Sequence, residues 1–389
     1  MEIRRPELVE DGGVIRYCTR VRDVRGEFTL WFSVDNEHAN LLPAMARGED
    51  IRVSGVLSEK LFYNLAGPYQ KLIQVVFPSF SRVKISSAEI DSSIAPSSGV
   101  ATGFSAGIDS YCVLADHYFS QTLPSFRLTH LLFNNVGSHG NGRSDVFRER
   151  CERVRRVADR IGIPLVAVNS NLHECYGGVG RFQATHTPRN VAVALLLQTG
   201  IRRFMYASAY SFPDVFVGQT DAIAHCDPVA LPMLSTESLD VMQVGSEYTR
   251  VDKTLRVVSI ADSFYSLDVC KENRAGNCST CHKCMRTLLT LEIAGHLDKY
   301  SGVFDVMAYK RRRNEYISKV IQSDKPFDRE ICEFARESEF SFPFSSRLNA
   351  MSCVAGASRA VRRLVSIPRR VRRSIERRLP RRVRFGRTT

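Results

Sequence analysis

The stretch Gly103-Phe104-Ser105-Ala106-Gly107-Ile108-Asp109-Ser110 predicts a phosphate-binding turn that follows a strand and opens a helix. Its small residues let the backbone turn tightly, so that successive N–H groups converge on an anion. The helical segment that follows, Ser110 to Phe119, points the positive end of its dipole at the same place. Ser105 and Ser110 offer hydroxyls to phosphate oxygens, and Asp109 can hold a Mg²⁺ that bridges them. No lysine follows the glycines, so the turn is not a Walker loop; an ordinary strand-to-helix loop is the alternative.

Four cysteines near residue 280 have the spacing of a metal site. Cys270, Cys278, Cys281 and Cys284 read C-x7-C-x2-C-x2-C. A C-x2-C pair places two thiolates on one tight turn, and four sulfurs complete a tetrahedral shell for Zn²⁺. Because the protein fills all four positions, the zinc is predicted to be structural. The alternatives are disulfides, which the pattern disfavours since the other seven cysteines are scattered, and unrelated buried thiols.

The turn, the cysteines and a third motif between them resemble 7-cyano-7-deazaguanine synthase, a family of the PP-loop ATP pyrophosphatases. The third motif is Thr187-Pro188-Arg189-Asn190, which is similar to the family's P-G-R-N element and opens the apolar helix Asn190 to Gln198. The resemblance covers about residues 101 to 295. It implies a PP-loop, adenine nucleotide α-hydrolase-like fold that binds ATP and Mg²⁺ beside the structural Zn²⁺.

Nucleotide-binding residues are predicted in the turn, in the third motif and at the end of the second strand. Arg189 can pair with phosphate in bidentate fashion, and Asn190 can cap its helix. Arg250 and Lys253 are three residues apart and are predicted to share a helix face. The resemblance implies that basic residues at this place reach the ATP phosphates. The alternative is that this helix face is exposed to solvent. The predicted catalytic residues are Asp109, Arg189 and Lys253. The predicted nucleotide-binding residues are Ser105, Ala106, Gly107, Ile108, Asp109, Ser110, Asn134, Arg189 and Asn190.

The sequence departs from the family at two places that bear on the site. Ala106 stands where the family has a second glycine, and its methyl group is compatible with the turn if φ stays negative. The family is expected to carry acidic residues before a tyrosine in the segment after the fourth strand. In that segment of this chain only Asp214 is acidic, so the acceptor pocket is predicted to differ from the family's. The family also lacks an extension like residues 1–95.

Composition and charge place the chain among ordinary globular proteins with one unusual segment. Its 389 residues are 44% hydrophobic and 24% charged, and no apolar run is long enough for a membrane span. The start of the chain lacks an apolar signal core, so a cytoplasmic location is expected. Residues 359–389 contain thirteen arginines and one acid, a local charge of +12 out of the total of +13. The body is therefore nearly neutral, which argues against a general nucleic-acid binder.

The chain is predicted to divide into five parts. Residues 1–85 form a β-rich domain with strands at Val14–Val21, Glu27–Val34, Asp50–Leu57 and Lys71–Ile85, whose role is structural or oligomerising, so that a homodimer is one expected assembly. The serine-rich residues 86–99 are a linker. Residues 100–296 form the ATP-binding domain with its zinc knuckle, 297–356 a helical extension, and 357–389 a basic amphipathic tail.

The central domain alternates short apolar strands with helices, which predicts a doubly wound parallel sheet. The strands are Gly99–Phe104, Thr129–Asn134, Leu165–Val168 and Arg203–Ala207. Ligands of such sheets lie beyond the carboxyl ends of the strands. Asn134, Ser208 and Tyr210 follow strand ends and are predicted to converge there; His139 and His186 are expected to be structural.

Apolar residues recur every three or four positions in the tail, with arginines between them and breaks at Pro368 and Pro380. Such a helix can lie on an anionic membrane surface, and the same charge can bind another polyanion. A solvated, disordered tail is the alternative. A peripheral membrane location is thus an expectation for this segment alone.

These observations predict an ATP-dependent ligase that forms a C–N bond and releases AMP and pyrophosphate. A small-molecule or macromolecular acid is adenylated, and ammonia or an amine then attacks it, as the resemblance implies. Two alternatives stay open: a PP-loop RNA thiolase or amidating ligase, and a non-catalytic nucleotide-binding module tethered by its tail. Thiolases use reactive cysteines, and only Cys112, Cys175 and Cys226 lie near the predicted site.

Overall fold

The computed structural model describes residues 1–4, 7–11, 14–24, 26–33, 41–138, 144–270, 272 and 276–346. The predicted tail at 357–389 and His139 lie outside the described residues. Contacts divide the chain into two compact units, Met1–Val306 and Met307 onward, which are treated separately below.

Eleven strands of the described residues form one sheet. In chain order they are β1 (Glu2–Ile3), β2 (Glu7–Asp11), β3 (Val14–Asp23), β4 (Gly26–Ser33), β5 (Ile51–Ser58), β6 (Ile85–Asp91), β7 (Gly99–Gly103), β8 (His130–Asn135), β9 (Leu165–Ser170), β10 (Ile201–Ala207) and β11 (Asp240–Val244).

The helices of the first unit are mostly short and connect these strands. They are α1 (Leu41–Arg47), α2 (Glu59–Ala66), α3 (Pro68–Val76), α4 (Ile108–Leu114), α5 (Ser144–Ile161), α6 (Leu172–Cys175), α7 (Phe182–Leu196), α8 (Asp227–Ala230), α9 (Arg250–Val258), α10 (Ser263–Ser266) and α11 (His282–Ile293). A π-helical turn, Ala115–Phe119, continues α4 without a break.

The carboxyl-terminal half of the sheet is parallel, with spatial order β11-β10-β7-β8-β9. The strand order reverses at β7, so the crossovers on its two sides place their helices on opposite faces of the sheet. Helix α5 packs on β8 and β9, while α7 packs on β10. The predicted α/β class with a mostly parallel sheet is confirmed.

The N-terminal strands extend this same sheet. Residues Phe32 and Ser33 of β4 pair in antiparallel fashion with Ser170 and Asn169 of β9. The side chain of Asn171 strengthens this join, since its Oδ1 accepts from Trp31 N at 2.8 Å. Beyond β4 the order is β3, β1, β5 and β6, and β2 pairs with β3. One hydrophobic core therefore runs through both halves of the unit.

Two secondary-structure predictions in the N-terminal region are wrong. The predicted strand at Lys71–Ile85 overlaps helix α3, which begins at Pro68 and ends at Val76. Its buried residues Tyr69, Leu72, Ile73 and Val76 have helical spacing; the β-branched residues suggested a strand, and burial of that face decides the helix. The predicted linker 86–99 begins with β6, an edge strand in parallel register with β5. Its polar residues reflect an exposed edge rather than an unstructured segment.

Helix α7 starts eight residues before the predicted start at Asn190. It begins at Phe182 and contains Pro188 in its interior. Asn190 consequently lies in mid-helix and does not cap it; its Nδ2 donates to His186 O at 2.9 Å. Burial of the segment between Ala184 and Leu196 compensates for the backbone hydrogen bond that the proline removes.

The second unit consists of helices in its described part, as predicted for this region. Helix α12 spans Val306–Ile321, starting one residue before the unit, and α13 spans Pro326–Glu337. In α12 the buried residues Tyr309, Tyr316, Ile317 and Val320 line one face. No helix among the described residues is long and apolar enough to cross a membrane.

Candidate functional site

The predicted phosphate turn lies at the point where the strand order of the parallel sheet reverses. In open α/β sheets, ligands bind in the crevice that forms there, beyond the carboxyl ends of the strands. The neighbouring ends belong to β7 and β10, which Thr102 Oγ1 ties together by donating to Met205 O at 2.7 Å. The turn from Gly103 to Ser110 follows β7 directly, and Ser208 follows β10.

Hydrogen bonds hold the turn in a fixed shape. Phe104 N donates to Leu132 O on β8 at 2.8 Å, and Asp268 N donates to Ala106 O at 2.8 Å. The hydroxyl of Ser110 donates to Gly107 O at 3.0 Å. Together these bonds tie the turn to β8 and to the segment that precedes Cys270.

Ala106 adopts a left-handed backbone conformation, with φ of +57°. The condition under which the methyl group is compatible with the turn, a negative φ, is therefore not met, because the turn needs the conformation that glycine supplies in the related pattern. A left-handed conformation costs a non-glycine residue about 1–2 kcal/mol. The alanine is also buried, so the fold holds a strained residue at the centre of the candidate phosphate site.

Asp109 lies against two cations from helix α9. Its Oδ1 is 2.7 Å from Arg250 Nη1 and 3.6 Å from Lys253 Nζ. The Asp109 side chain is 34% exposed, whereas those of Arg250 and Lys253 are 9% and 2% exposed. Burial opposes the charged form of Asp109, but the charges of Arg250 and Lys253 lower the pKa of this carboxyl below its usual value.

Lys253 is held by three oxygens at the floor of the crevice. Besides Asp109, its Nζ donates to Ser208 O at 2.7 Å and to Ser208 Oγ at 2.6 Å. Burial lowers the pKa of the ammonium, and the carboxylate of Asp109 opposes that shift. Arg250 and Lys253 do share one helix face, as predicted, but that face is buried and the solvated-face alternative is wrong.

Arg189 is buried away from the Asp109 cluster. Its Nε donates to Thr185 Oγ1 at 2.9 Å and its Nη1 to Val136 O at 3.2 Å. The guanidinium stacks on the Tyr176 ring, 3.9 Å from its centroid. It has no carboxylate partner among the described residues. Gly137 makes room for it, since a Cβ there would lie 2.8 Å from Arg189 Nη1.

The predicted residues Asn134 and Asn190 meet in a buried polar network. Asn134 Nδ2 donates to Asn190 Oδ1 at 3.2 Å. His186 Nδ1 lies 2.6 Å from the Tyr206 hydroxyl, and burial, aided by the charge of Arg189, lowers the pKa of this histidine to about 4. The ring is therefore neutral at pH 7, in keeping with the structural role expected for it.

The four predicted ligand cysteines converge. All four sulfurs lie within 4.8 Å of one another, with Cys270 Sγ 3.9 Å from Cys281 Sγ and Cys278 Sγ 4.0 Å from Cys284 Sγ. A tetrahedral zinc with Zn–S bonds of about 2.3 Å requires sulfurs about 3.8 Å apart. The cluster can therefore hold a metal such as zinc, and the protein supplies all four ligands.

The cluster is fastened to the rest of the unit by Asn277. Its Nδ2 donates to Leu267 O at 2.7 Å and to Val303 O at 3.1 Å, while its Oδ1 accepts from Val269 N at 2.9 Å. Cys281 precedes helix α11 and Cys284 lies in its first turn. The cluster thus joins that helix to the segment that contacts Ala106.

A cavity of about 720 Å³ opens beside the turn, and Ser105 and Ala106 form part of its wall. It extends between helix α5 and the cysteine cluster. Its basic lining residues are Arg150, Arg153, Arg156, Arg160 and Lys283, and its acidic lining residue is Asp268. Its volume falls within the range typical of sites for small organic ligands.

Sequence reasoning missed several of these residues. The arginines of α5 recur at intervals of three or four residues, which is the spacing of one helix face and the signal that identifies them. Asp268, two residues before a predicted ligand, carries no signal of its own. Asp227 is also missed: its Oδ1 accepts from Thr187 Oγ1 at 2.7 Å, and burial raises the pKa of its carboxyl to about 7.

The cysteines near the candidate site are buried thiols. Burial raises the pKa of Cys112 and of Cys226 to about 12. Both side chains are therefore protonated at neutral pH, and a protonated thiol is a weak nucleophile.

Comparison with known proteins leaves the site to be interpreted from its own geometry. No family model matches the chain, and neither a curated protein nor a solved structure matches it.

Proposed function

We propose that this protein is an ATP-dependent ligase that adenylates a carboxylate-type substrate, releases pyrophosphate and then transfers the acyl group to ammonia or an amine. The observation that carries the proposal is the cluster of Asp109, Arg250 and Lys253 at the strand-order reversal, beside a turn of small residues that opens a helix. The order of motifs, which resembles the PP-loop synthases, supports the same assignment.

The two cations of this cluster suit a leaving pyrophosphate. Arg250 and Lys253 are almost fully buried, and charges in such a site stabilise a developing anion more strongly than charges in water do. Their positions are fixed in advance by Asp109 and by Ser208. Little reorganisation is then needed when negative charge develops on the bridging oxygen between the α- and β-phosphates.

The proposed chemistry takes place in two displacements. A carboxylate oxygen of the acceptor attacks the α-phosphorus, the bond from that phosphorus to the bridging oxygen breaks, and pyrophosphate leaves with the electron pair. A neutral amine nitrogen then attacks the acyl carbon, the bond from that carbon to the AMP oxygen breaks, AMP leaves with the electron pair, and the nitrogen gives a proton to water. The backbone N–H groups of the turn and Lys253 hold the pyrophosphate, and no residue acts as a covalent nucleophile.

Asp109 fits the role of a magnesium ligand. Mg²⁺ is usually held by one or two carboxylates together with substrate phosphates and water, and Asp109 supplies one ionised carboxylate beside the turn. A bound Mg²⁺ would neutralise part of the negative charge of the phosphates.

Zinc at the four cysteines has a structural role in this proposal. The cluster fastens Val269 and its neighbours to helix α11, and Asp268 contacts the phosphate turn. Since four protein ligands leave no position for a substrate, the metal acts by holding the wall of the cavity in place.

Ala106 favours one further candidate, a nucleotide-binding module without catalysis. A methyl group at the strained centre of the turn can hinder the close approach of phosphate that cleavage requires. The thiolase alternative has less support, because the thiols of Cys112 and Cys226 are buried and protonated.

Separation of nucleotides after reaction tests the proposal. The purified chain is incubated with ATP, Mg²⁺, ammonium and a deproteinised cell extract as the source of acceptor. AMP and pyrophosphate formed by the native protein, but not by Asp109→Ala, are expected. ATP binding without turnover would favour the non-catalytic module, and ADP as the product would contradict cleavage between the α- and β-phosphates.

A further inference from the structure

Four arginines of helix α5 form a row along the large cavity. Arg150, Arg153, Arg156 and Arg160 all line it, at spacings of three, three and four residues. At a rise of about 1.5 Å per residue the row is roughly 15 Å long. Lys283 adds a fifth positive charge to the wall. The row therefore borders the cavity over a length greater than one phosphate group.

Several hydrogen-bond donors of these arginines have weak partners or none among the described residues. The Nε of Arg150 is buried and has no hydrogen-bond partner among the described residues. Its Nη2 reaches Cys270 O only at 3.4 Å. Arg156 is exposed to the cavity and forms no ion pair with any residue that the structure describes. A buried donor without a partner is costly, so the Nε of Arg150 favours a ligand with acceptor oxygens, and the charge of Arg156 is available to the same ligand.

The residues that line the cavity carry more positive charge than bound ATP alone would balance. Five basic residues face one acid in the lining, Asp268, and a second acid, Asp262, pairs with Arg160 at 2.6 Å. Counting both acids, the wall carries three more positive than negative charges. Magnesium-bound ATP has a net charge of about −2, given the charges of its phosphates. Positive charge thus remains for a second anion.

Aromatic residues in the same cavity indicate what else that anion carries. The rings of Phe182 and Tyr265 belong to its lining, and Tyr265 is 77% exposed. Arginines that follow a phosphate backbone, combined with exposed aromatic rings on which bases stack, are the elements of nucleotide binding without sequence preference.

We propose that the arginine row, led by Arg150 and Arg156, binds a phosphate of the acceptor, so that the acceptor is a nucleoside phosphate, free or at the end of a strand. This inference rests on the proposed ATP-dependent function, because it assigns the part of the cavity that ATP does not occupy. It separates two anion sites: the turn with Arg250 and Lys253 for ATP, and the α5 row for the acceptor.

Binding to the full chain tests this separation. UMP, the pentanucleotide U5 with a 5′-phosphate, and uridine are titrated with and without saturating α,β-methylene-ATP and Mg²⁺. UMP or U5 is expected to bind in the presence of the ATP analogue, with an affinity that falls as salt rises, while uridine binds at least tenfold more weakly. Tighter binding of U5 than of UMP would identify a strand end; equal binding would identify a free nucleotide.

Substitutions within α5 supply the residue-level test. Arg150→Gln and Arg156→Gln are each expected to weaken UMP binding about tenfold, since each removes a charge-assisted phosphate contact. Binding of the ATP analogue should change less than twofold. Arg148→Gln is the matched control, because Arg148 is an exposed arginine of the same helix that does not line the cavity.

The outcomes distinguish this inference from the proposed function. Competition between UMP and the ATP analogue, or equal loss of both ligands in Arg150→Gln and Arg156→Gln, would overturn the second site and assign the row to ATP. Absence of UMP and U5 binding while the analogue binds would also overturn it. Failure of the analogue to bind, with UMP still held by Arg150 and Arg156, would instead contradict the ATP-dependent function.

Discussion

Asp109 is the residue on which most of the candidate site depends. Its carboxylate is the acidic partner of two cations that are almost removed from water, Arg250 and Lys253. Loss of one partner of a fully buried ion pair costs about 3–5 kcal/mol. The cost here should be smaller because the Asp109 side chain is 34% exposed and solvent screens part of the interaction.

Asp109→Asn is therefore expected to lower the free energy of unfolding by roughly 2 kcal/mol at pH 7. The pKa of the native carboxyl is depressed, so its contribution is complete above the unfolded pKa of about 3.9 and is lost as pH falls through the native value. The difference in urea midpoint between native protein and variant should narrow below pH 4. A difference that stays constant from pH 7 to pH 3 would contradict the ion-pair interpretation.

Asp227 should show the opposite pH dependence. Burial raises the pKa of its carboxyl to about 7, so the folded protein binds a proton that the unfolded chain releases near pH 4. The contribution of Asp227 to the free energy of unfolding is complete below the unfolded pKa, and it is lost as pH rises through the folded pKa of about 7. Relative to the native protein, Asp227→Asn should gain about 2 kcal/mol of stability between pH 5 and pH 8.

Urea unfolding at the two pH values measures this shift for Asp227→Asn. Asp214→Asn serves as the control, because Asp214 is only half-buried and the buried carboxyl of Asp227 stays intact in this variant. A stability difference from the native protein that is the same at pH 5 and pH 8 would contradict the raised pKa.

Local spacing predicted some site residues well and others poorly. Arg250 and Lys253 share a face because helical periodicity is a local property of the chain, and the cysteine cluster follows from C-x2-C turns. The direction of Arg189 depends on Tyr176, which stacks on it, and on the space that Gly137 leaves. Those contacts come from separate elements, so the sequence of the third motif could not predict them.

At the scale of elements, the cysteine cluster and the predicted phosphate turn are connected through one short segment. Asp268 donates its N–H to Ala106 O, and Cys270 follows two residues later. Asn277 fastens the same segment through Leu267 and Val269. The segment that leads to the cysteine cluster thus holds Ala106 in its strained conformation.

Metal analysis of the purified chain should find close to one zinc per chain after dialysis. Removal with a thiol-reactive mercurial and a chelator should lower the melting temperature, because metal bound only by the folded state stabilises that state. Re-addition of zinc should restore it. Rapid alkylation of all four cysteines in the untreated native protein would contradict a bound metal, and Cys332→Ser, outside the cluster, is the matched control.

Secondary structure was predictable where burial and pattern agree. The strands β7 to β10 are short and apolar because both faces of a parallel sheet are covered, and they were predicted close to their observed bounds. Helix α3 and strand β6 were missed for opposite reasons: the first is rich in β-branched residues, and the second is polar because it lies at an exposed edge. Both depend on tertiary position, which local propensity does not record.

At the scale of the whole first unit, the sheet joins regions that the sequence suggested were separate. Strand β4 pairs with β9, and Leu61 and Tyr69 line a small cavity of about 30 Å³ together with Val191 and Leu195 of α7. The helix that carries Arg189 is therefore covered by side chains of the N-terminal region. Residues 1–95 complete the core of the first unit.

A chain that starts at Gly99 should consequently fail to fold cooperatively. It would expose the face of α7 that packs on Leu61 and Tyr69 and would leave β9 as an unpaired edge. Loss of several buried aliphatic and aromatic contacts, each worth about 1.5–3 kcal/mol, exceeds the stability of a typical domain. Circular dichroism should show a broad melt or aggregation, whereas Val24→Ala, an exposed change in the full chain, should melt like the native protein. A sharp transition of the truncated chain within a few degrees of the native one would show that the parallel half of the sheet is an independent domain.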